Sequence, residues 1–177
     1  MADTPLAVGD RAPAFSLQTV GGKTIASSDF RGKRVVLYFY PKDDTPGCTR
    51  EACGFRDERA QFAKAQAVVL GVSSDDVASH ERFTRKFGLT FPLLSDPGAA
   101  VAKAYGVYKQ KSMYGRTYWG IERTTFVIDE QGRLAAIFPK VSVDGHIQAV
   151  LEALAARRAS EGAPRARPAA GAAARRS

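Results

Sequence analysis

The feature that most constrains this chain is an apolar strand that leads directly into a capped helix. Residues 35–40 (Val-Val-Leu-Tyr-Phe-Tyr) are apolar, β-branched or aromatic throughout, which is typical of a buried strand. Thr45 then suits the N-cap position and Pro46 the first helical position. Apolar residues recur at helical spacing beyond Cys48, so the pattern predicts a helix over about residues 48–65.

Both cysteines of the chain lie in this predicted helix, Cys48 in its first turn and Cys53 five residues later. A helix N-terminus offers unpaired backbone N–H groups and the positive end of the helix dipole, and thiols placed there have lowered pKa values. In an unbroken helix, Cα atoms five residues apart are separated by about 8.7 Å, whereas a disulfide requires about 4.4–6.8 Å. A bond between the two cysteines would therefore require the first turns of the helix to unwind.

Other interpretations of the two cysteines are possible at this point. A zinc site would need four ligands, and the two histidines, His80 and His146, do not stand at zinc-binding spacing. A static structural disulfide does not suit a chain without an export signal. Spacing and position alone leave open that these are two unrelated core cysteines.

Strand and helix patterns alternate along the rest of the chain, which favours an α/β fold with a central mixed β-sheet flanked by helices. The expected strands are residues 15–18 and 23–26, which form an N-terminal β-hairpin, and residues 68–72, 91–94, 123–128 and 133–138. The expected helices are residues 76–87, 97–104 and 144–158.

Several side chains outside the cysteine segment are expected to have structural rather than functional roles. His80 lies among charged neighbours and is expected to be solvated, and His146 is expected to be exposed in the first turn of the last helix. Residues 107–119 are mixed polar and aromatic, which predicts a loop with a strand near its end. The large aromatic residues there are interpreted as core or loop anchors; they are Tyr114, Tyr118 and Trp119.

Length, composition and charge narrow the class of protein. The chain of 177 residues suits one domain, expected over residues 1–159. Its apolar runs are too short to span a bilayer, and its N-terminus lacks a signal peptide, so we expect a cytoplasmic protein with no membrane partner. The net charge of +8 includes a basic, Ala/Pro/Arg-rich segment at residues 160–177, which predicts a disordered tail. A solvated tail is favoured over an arm that binds nucleic acid.

Three separated motifs show a family resemblance. Pro41, Thr45 and Cys48 match the P-x-x-x-T-x-x-C signature of the peroxiredoxins, and Cys48-x4-Cys53 resembles their bacterioferritin-comigratory (Q-type) subfamily. The resemblance extends from Ala-Pro-Ala-Phe at residues 12–15 to Gly-Ile-Glu-Arg-Thr-Thr-Phe at residues 120–126 and covers roughly residues 5–155. It implies a thioredoxin-like fold with peroxiredoxin additions.

The resemblance also implies a set of roles. Cys48 would attack a peroxide and become a sulfenic acid, and Cys53 would resolve it to a disulfide that thioredoxin or a similar dithiol protein reduces. Arg123 would supply the positive charge that the neighbourhood of Cys48 lacks, and Pro41 would shield the site. The Thr45 hydroxyl would accept from helix N–H groups and donate to the thiolate or the peroxide. No cofactor or metal is implied, and the subfamily favours a monomer.

Two alternative functions stand beside thiol peroxidase. A thioredoxin-like disulfide oxidoreductase normally uses C-x-x-C, whereas this chain has four residues between its cysteines. A redox-sensing or chaperone-like module, in which the cysteines only switch the shape of the protein, would consume one peroxide per chain. An enzyme supplied with reductant would consume many.

Overall fold

The computed structural model describes residues 4–162 and contains nine strands and five α-helices in that part of the chain. The strands are β1 (Ser16–Thr19), β2 (Thr24–Ala26), β3 (Arg34–Phe39), β4 (Ala67–Ser73), β5 (Leu93–Ser95), β6 (Tyr108–Met113), β7 (Arg116–Ile121), β8 (Thr124–Ile128) and β9 (Leu134–Phe138). The helices are α1 (Pro46–Asp57), α2 (Arg59–Lys64), α3 (Val77–Phe87), α4 (Ala100–Ala104) and α5 (His146–Gly162). Among residues 4–162, no helix is long and apolar enough to cross a bilayer.

Seven strands form one mixed sheet in the order β2-β1-β5-β4-β3-β8-β9. Strand β3 is central: it pairs in parallel with β4 and antiparallel with β8. The hairpin of β1 and β2 pairs Ser16 with Ala26 and joins the sheet edge through β5. The predicted α/β architecture, with a mixed sheet, flanking helices and an N-terminal β-hairpin, is confirmed as a thioredoxin-like fold.

Strand β3 is buried on both faces, as its continuous apolar sequence predicts. Leu37 and Phe39 point to one side, where they pack with residues of α4 and the N-terminal segment. Tyr38 and Tyr40 point to the other side, beneath a helical layer that includes α1, α3 and α5. Helix α1 therefore rests its buried face directly on the central strand, and its N-terminus lies at the end of that strand.

Three features differ from the sequence-based expectations about the elements. The single helix predicted over residues 48–65 is divided at Glu58 into α1 and α2. Residues 107–119 are not mainly loop: the strand expected near their end lies within β7, and β6 pairs with it to form a separate two-stranded antiparallel ribbon. Helix α5 reaches Gly162 and so enters the segment predicted as a disordered tail; the rest of that segment, residues 163–177, lies outside the described residues.

The expectation of a solvated His80 is wrong. Its side chain is fully buried, with Nδ1 2.7 Å from Asp43 Oδ2 and Nε2 3.0 Å from the Leu94 carbonyl oxygen. Tyr40 Oη donates to Asp43 Oδ1 over 2.6 Å, so the same carboxylate is held from two sides. This buried network fixes the segment between β3 and α1, which carries Pro41 and Thr45, against helix α3.

Candidate active site

Cys48 lies in the first turn of α1 and is almost completely buried, with 1 % of its surface exposed. Thr45 has the extended conformation of an N-cap residue, and its carbonyl oxygen accepts the first helical bond, from the Thr49 N–H over 2.8 Å. The N–H groups of Gly47 and Cys48 precede the first residues that can bond within the helix. The sulfur therefore stands at the positive end of the helix, as the sequence predicts.

Arg123 supplies the cation that this environment needs. It lies between β7 and β8, and its guanidinium donates from Nη2 to Cys48 Sγ over 3.3 Å and from Nη1 to Glu51 Oε1 over 2.7 Å. The arginines within α1 are engaged elsewhere, Arg50 with Asp144 and Arg56 with Asp57. The role expected for Arg123 is therefore geometrically available, although 72 or more residues separate it from its partners.

The absence of a side chain at Gly47 allows the Arg123 guanidinium to lie close to the first turn of α1. A Cβ atom added at Gly47 would lie 3.2 Å from Arg123 Nη2, which is tighter than an ordinary contact. Any side chain at this position would therefore press on the atom that contacts the sulfur.

The Thr45 hydroxyl differs in detail from its expected role. Although Thr45 holds the N-cap position, its side chain makes no capping bond; instead Oγ1 donates to the Lys42 carbonyl oxygen over 3.0 Å. Because a hydroxyl has only one proton, it can then only accept from a molecule beside Cys48. Pro41 is half-buried directly after Tyr40, in the segment that leads to Thr45.

Cys53 is half-buried on the same continuous helix as Cys48, and both cysteines are free thiols. This is the reduced arrangement, for which helix geometry predicts Cα atoms too far apart for a disulfide. Further along the helix, a Cβ atom at Gly54 would lie 2.8 Å from Ile147 Cγ1, so α1 and α5 pack closely at this glycine.

Glu51 and His146 belong to the site, and sequence reasoning missed both. Glu51 is fully buried, and His146, expected to be exposed, has only 5 % of its surface exposed. His146 Nε2 lies 2.8 Å from Thr125 Oγ1 and 3.9 Å from Glu51 Oε2. A signal for Glu51 was present, because it lies three residues after Cys48 and so on the same face of the helix.

The pKa values of Glu51 and His146 are shifted in opposite directions. Burial raises the pKa of Glu51 from 4.5 to about 7, and its ion pair with Arg123 offsets part of that rise. Burial, together with the smaller effect of the nearby Arg123 charge, lowers the pKa of His146 from 6.5 to about 4. Near neutral pH the site therefore holds an uncharged imidazole and a carboxyl group close to its own titration midpoint.

We expect Glu51→Gln to change how stability depends on pH. Folded wild-type protein keeps a proton on Glu51 that the unfolded chain releases, so this stabilising contribution is complete below pH 4.5 and is lost as pH rises through about 7. The variant does not suffer this loss. The difference between its free energy of unfolding and that of wild type should therefore rise by about 1 kcal/mol or more as pH increases from 4.5 to about 7.

Chemical denaturation at several pH values measures this difference. His146 is present in both proteins, so its own contribution, lost as pH falls from 6.5 through about 4, cancels. Glu152→Gln, at an exposed position of α5, serves as the control. A constant difference between Glu51→Gln and wild type across the interval would contradict the prediction.

The sequence matches the AhpC/TSA family over residues 8–137. The chain belongs to this family of peroxiredoxins. The putative peroxiredoxin bcp of Coxiella burnetii is 54 % identical over 144 residues, which cover 81 % of this chain and 95 % of that protein. Peroxiredoxin Bcp of Bacillus subtilis is 47 % identical over 147 residues, which cover 83 % of this chain and 94 % of that protein.

Solved structures support the same subfamily for this peroxiredoxin. A cysteine-to-serine mutant of Xylella fastidiosa PrxQ aligns with a TM-score of 0.83 at 40 % identity and covers 88 % of this chain and 99 % of its own. The bacterioferritin comigratory protein of Xanthomonas campestris, studied for alkyl peroxide reduction, aligns with a TM-score of 0.77 at 44 % identity and covers 81 % of this chain and 91 % of its own. The protein is a thiol-dependent peroxidase of the Q-type, bacterioferritin-comigratory subfamily.

Proposed function

We propose that this peroxiredoxin reduces hydrogen peroxide and organic hydroperoxides with Cys48 as the nucleophile and Cys53 as the resolving residue. The observation that carries this assignment is the contact of 3.3 Å between Arg123 Nη2 and the Cys48 sulfur at the start of a helix. The thiolate attacks one peroxide oxygen, so that an S–O bond forms and the O–O bond breaks. The departing alkoxide or hydroxide takes a proton and leaves as an alcohol or water.

Positioned charge supports this step more than ionisation of the thiol does. A free cysteine is already about 3 % thiolate at pH 7, so complete ionisation gains at most about thirty-fold in rate. The remaining acceleration must come from groups that orient the peroxide and stabilise the moving negative charge. The Arg123 guanidinium and the N-terminal amides of α1 are placed to stabilise this negative charge. The Thr45 hydroxyl can orient the peroxide by accepting a hydrogen bond from its O–H group.

Recycling completes the proposed reaction. The Cys53 thiolate attacks the sulfenic sulfur of Cys48 and displaces hydroxide, which leaves as water, and a disulfide remains. A dithiol protein such as thioredoxin supplies the two electrons that restore both thiols. We further propose a monomer in the cytoplasm, where a pool of dithiol reductant supports this cycle.

Steady-state peroxide consumption with a thioredoxin system tests the function. The enzyme should reduce many molecules of hydrogen peroxide or tert-butyl hydroperoxide for each chain. Consumption of one equivalent, with reductant in excess, would instead identify a redox sensor.

Formation of the Cys48–Cys53 disulfide should unwind the beginning of α1. Helical Cα atoms at the spacing of Cys48 and Cys53 lie about 2 Å beyond the upper limit for a disulfide. Gly47 and Gly54 make the opening easier, since each lowers helix propensity by about 0.8–1 kcal/mol relative to alanine. Amide hydrogen exchange at residues 46–56 should therefore be much faster in the oxidised than in the reduced protein.

Mass spectrometry for the Cys48–Cys53 link accompanies this measurement, and Cys53→Ser is the control. That variant should react once with peroxide, then retain a sulfenic acid that over-oxidises to the sulfinic form. Formation of the link with unchanged amide protection would contradict the unwinding. Absence of the link during turnover would show that an external thiol resolves Cys48.

A further inference from the structure

The ribbon of β6 and β7 concentrates the exposed apolar surface of the protein. Five large hydrophobic side chains are exposed among the described residues, and four of them lie on this ribbon. They are Met113 (55 % exposed), Tyr114 (97 %), Tyr118 (43 %) and Trp119 (60 %). Exposed groups of this size that cluster on one element indicate an interaction surface.

These side chains surround the ribbon rather than cover one side of it. Trp119 stacks on Tyr108, with ring centroids 5.8 Å apart, on one face. Met113 and Tyr118 belong to the opposite face, because side chains alternate along each strand. Tyr114 occupies the turn between the strands. The ribbon therefore presents apolar groups on both faces and at its end.

Tyr114 combines two unfavourable features. Its φ angle is +52°, in the left-handed region that glycine, asparagine and aspartate normally occupy in such a turn, and its ring is almost completely exposed. Backbone strain of this kind concentrates at functional sites. An exposed aromatic ring at a strained turn is available for contact with another molecule.

The charged residues of the ribbon are cations, and one of them, Lys109, is paired over 2.8 Å with Glu122 just beyond the ribbon. Residues 108–121 contain Lys109, Lys111 and Arg116 and no carboxylate. Burial and the neighbouring Arg123 lower the pKa of Lys111, and Cys48 also acts on it electrostatically. The Lys111 ammonium donates to the Ile121 carbonyl oxygen at the base of the ribbon. Arg123, which contacts the Cys48 sulfur, follows two residues after Ile121, so the base of the ribbon adjoins the active site.

We propose that this aromatic, cationic ribbon is the surface on which the reducing dithiol protein docks, and that this partner presents acidic and apolar residues beside its own thiols. The proposal rests on the proposed function. The partner's thiolate attacks the Cys48–Cys53 disulfide and forms a mixed disulfide, and its second thiol then releases the enzyme. The enzyme gains two electrons and regains both thiols, and the partner leaves as a disulfide.

The residue types favour a protein over a lipid surface. Tyrosine, tryptophan, methionine and arginine are the residues enriched at the centres of protein interfaces, and tyrosine, tryptophan and arginine dominate their binding energy. The positions between them are polar, at Gln110, Ser112 and Thr117, and no leucine, isoleucine or phenylalanine is exposed on the ribbon. Membrane-inserting surfaces typically expose leucine and phenylalanine together with tryptophan, and of these the ribbon exposes only Trp119.

Two variants test the proposal and keep the backbone preferences of the ribbon. Tyr114→Asn removes the ring and places a residue that prefers the left-handed conformation, so the turn itself should become more favourable. Trp119→Thr keeps a residue with high strand propensity. The matched control is Val8→Ser, which removes the exposed large hydrophobic side chain that lies outside the ribbon in the described part of the chain.

The rate of peroxide consumption is measured against the concentration of reduced thioredoxin or glutaredoxin, whichever supports the wild type, and again with dithiothreitol. For each ribbon variant we expect kcat/KM for the protein reductant to fall about tenfold or more. Turnover with dithiothreitol and the single-turnover rate of peroxide reduction should stay within about twofold of wild type. Val8→Ser should match wild type in all three measurements.

Other outcomes have distinct meanings. Wild-type kinetics with the protein reductant in both variants would overturn the docking surface, and so would an equal loss with dithiothreitol, which would place the effect in the active site. Loss of binding to vesicles that contain phosphatidylglycerol, with reductant kinetics unchanged, would identify a lipid contact and also overturn it. Failure of the wild type to turn over with any dithiol would instead refute the proposed function.

Discussion

Replacing Cys48 with serine should abolish peroxidase turnover, with a loss of at least about 10³-fold. A serine hydroxyl is hardly ionised at neutral pH, and its oxygen attacks a peroxide poorly. The fold should persist, because the substitution exchanges one small buried side chain for another beside the Arg123 guanidinium. Steady-state peroxide consumption with a thioredoxin system measures the loss.

The same change at the second cysteine is the matched control. Cys53→Ser should leave the first oxidation at the wild-type rate and affect only recycling. Single-turnover kinetics separate the two events. Activity of Cys48→Ser near the wild-type level would remove Cys48 from the proposed role.

Removing the guanidinium should have the next largest effect. Arg123→Ala should slow the single-turnover reaction by about 10²–10³-fold, the usual cost of losing one donor that stabilises charge in a transition state. Arg123→Lys should recover only part of the rate. A lysine is a point charge and cannot match the fork that contacts the Cys48 sulfur and Glu51 Oε1 together.

Arg123→Ala also leaves the buried Glu51 without its cation, so a loss of stability must be separated from a loss of rate. The double variant with Glu51→Gln removes the unpaired charge and should restore stability but not the rate. Arg50→Ala is the matched control, since Arg50 is an exposed arginine paired with Asp144. Wild-type rates in Arg123→Ala would show that other groups activate the sulfur.

The parts of the fold that the sequence predicted well are those with strong local signals. The continuous apolar run at residues 35–40 requires burial on both faces of the strand, and β3 is buried on both. The N-cap at Thr45 and the proline after it placed the start of α1 correctly. Glycine 88, in the left-handed conformation, ends α3 where the pattern predicts.

The ribbon of β6 and β7 lacked such a signal. Its strands carry lysine, glutamine and serine between aromatic residues, and only its base, at Tyr108 and Ile121, packs against the core of the main sheet. Because the rest of the ribbon has no buried face, the sequence shows no alternation of apolar and polar residues. Tyr114, Tyr118 and Trp119 were therefore expected to be core or loop anchors, whereas all three are exposed, Tyr114 in the turn of the ribbon and the other two on β7.

The predictions for His80 and His146 were wrong, and Glu51 was missed, for a different reason. Charged neighbours in sequence suggested a solvated His80, yet Phe83 and Phe87 follow it at helical spacing and share its buried side. His146 and Glu51 are buried because α5 closes over α1, which is a tertiary contact. Local sequence does not report such contacts, and they decided which polar groups join the site.

The position of Glu51 on the same helix as Cys48 has a consequence for the order of events. If α1 unwinds as proposed, the sulfur and the carboxylate would leave Arg123 together, and the packing of Gly54 against Ile147 would be released as well. The oxidised chain would then lack the arrangement that receives peroxide. A second peroxide could react only after the reductant has broken the disulfide and the helix has re-formed.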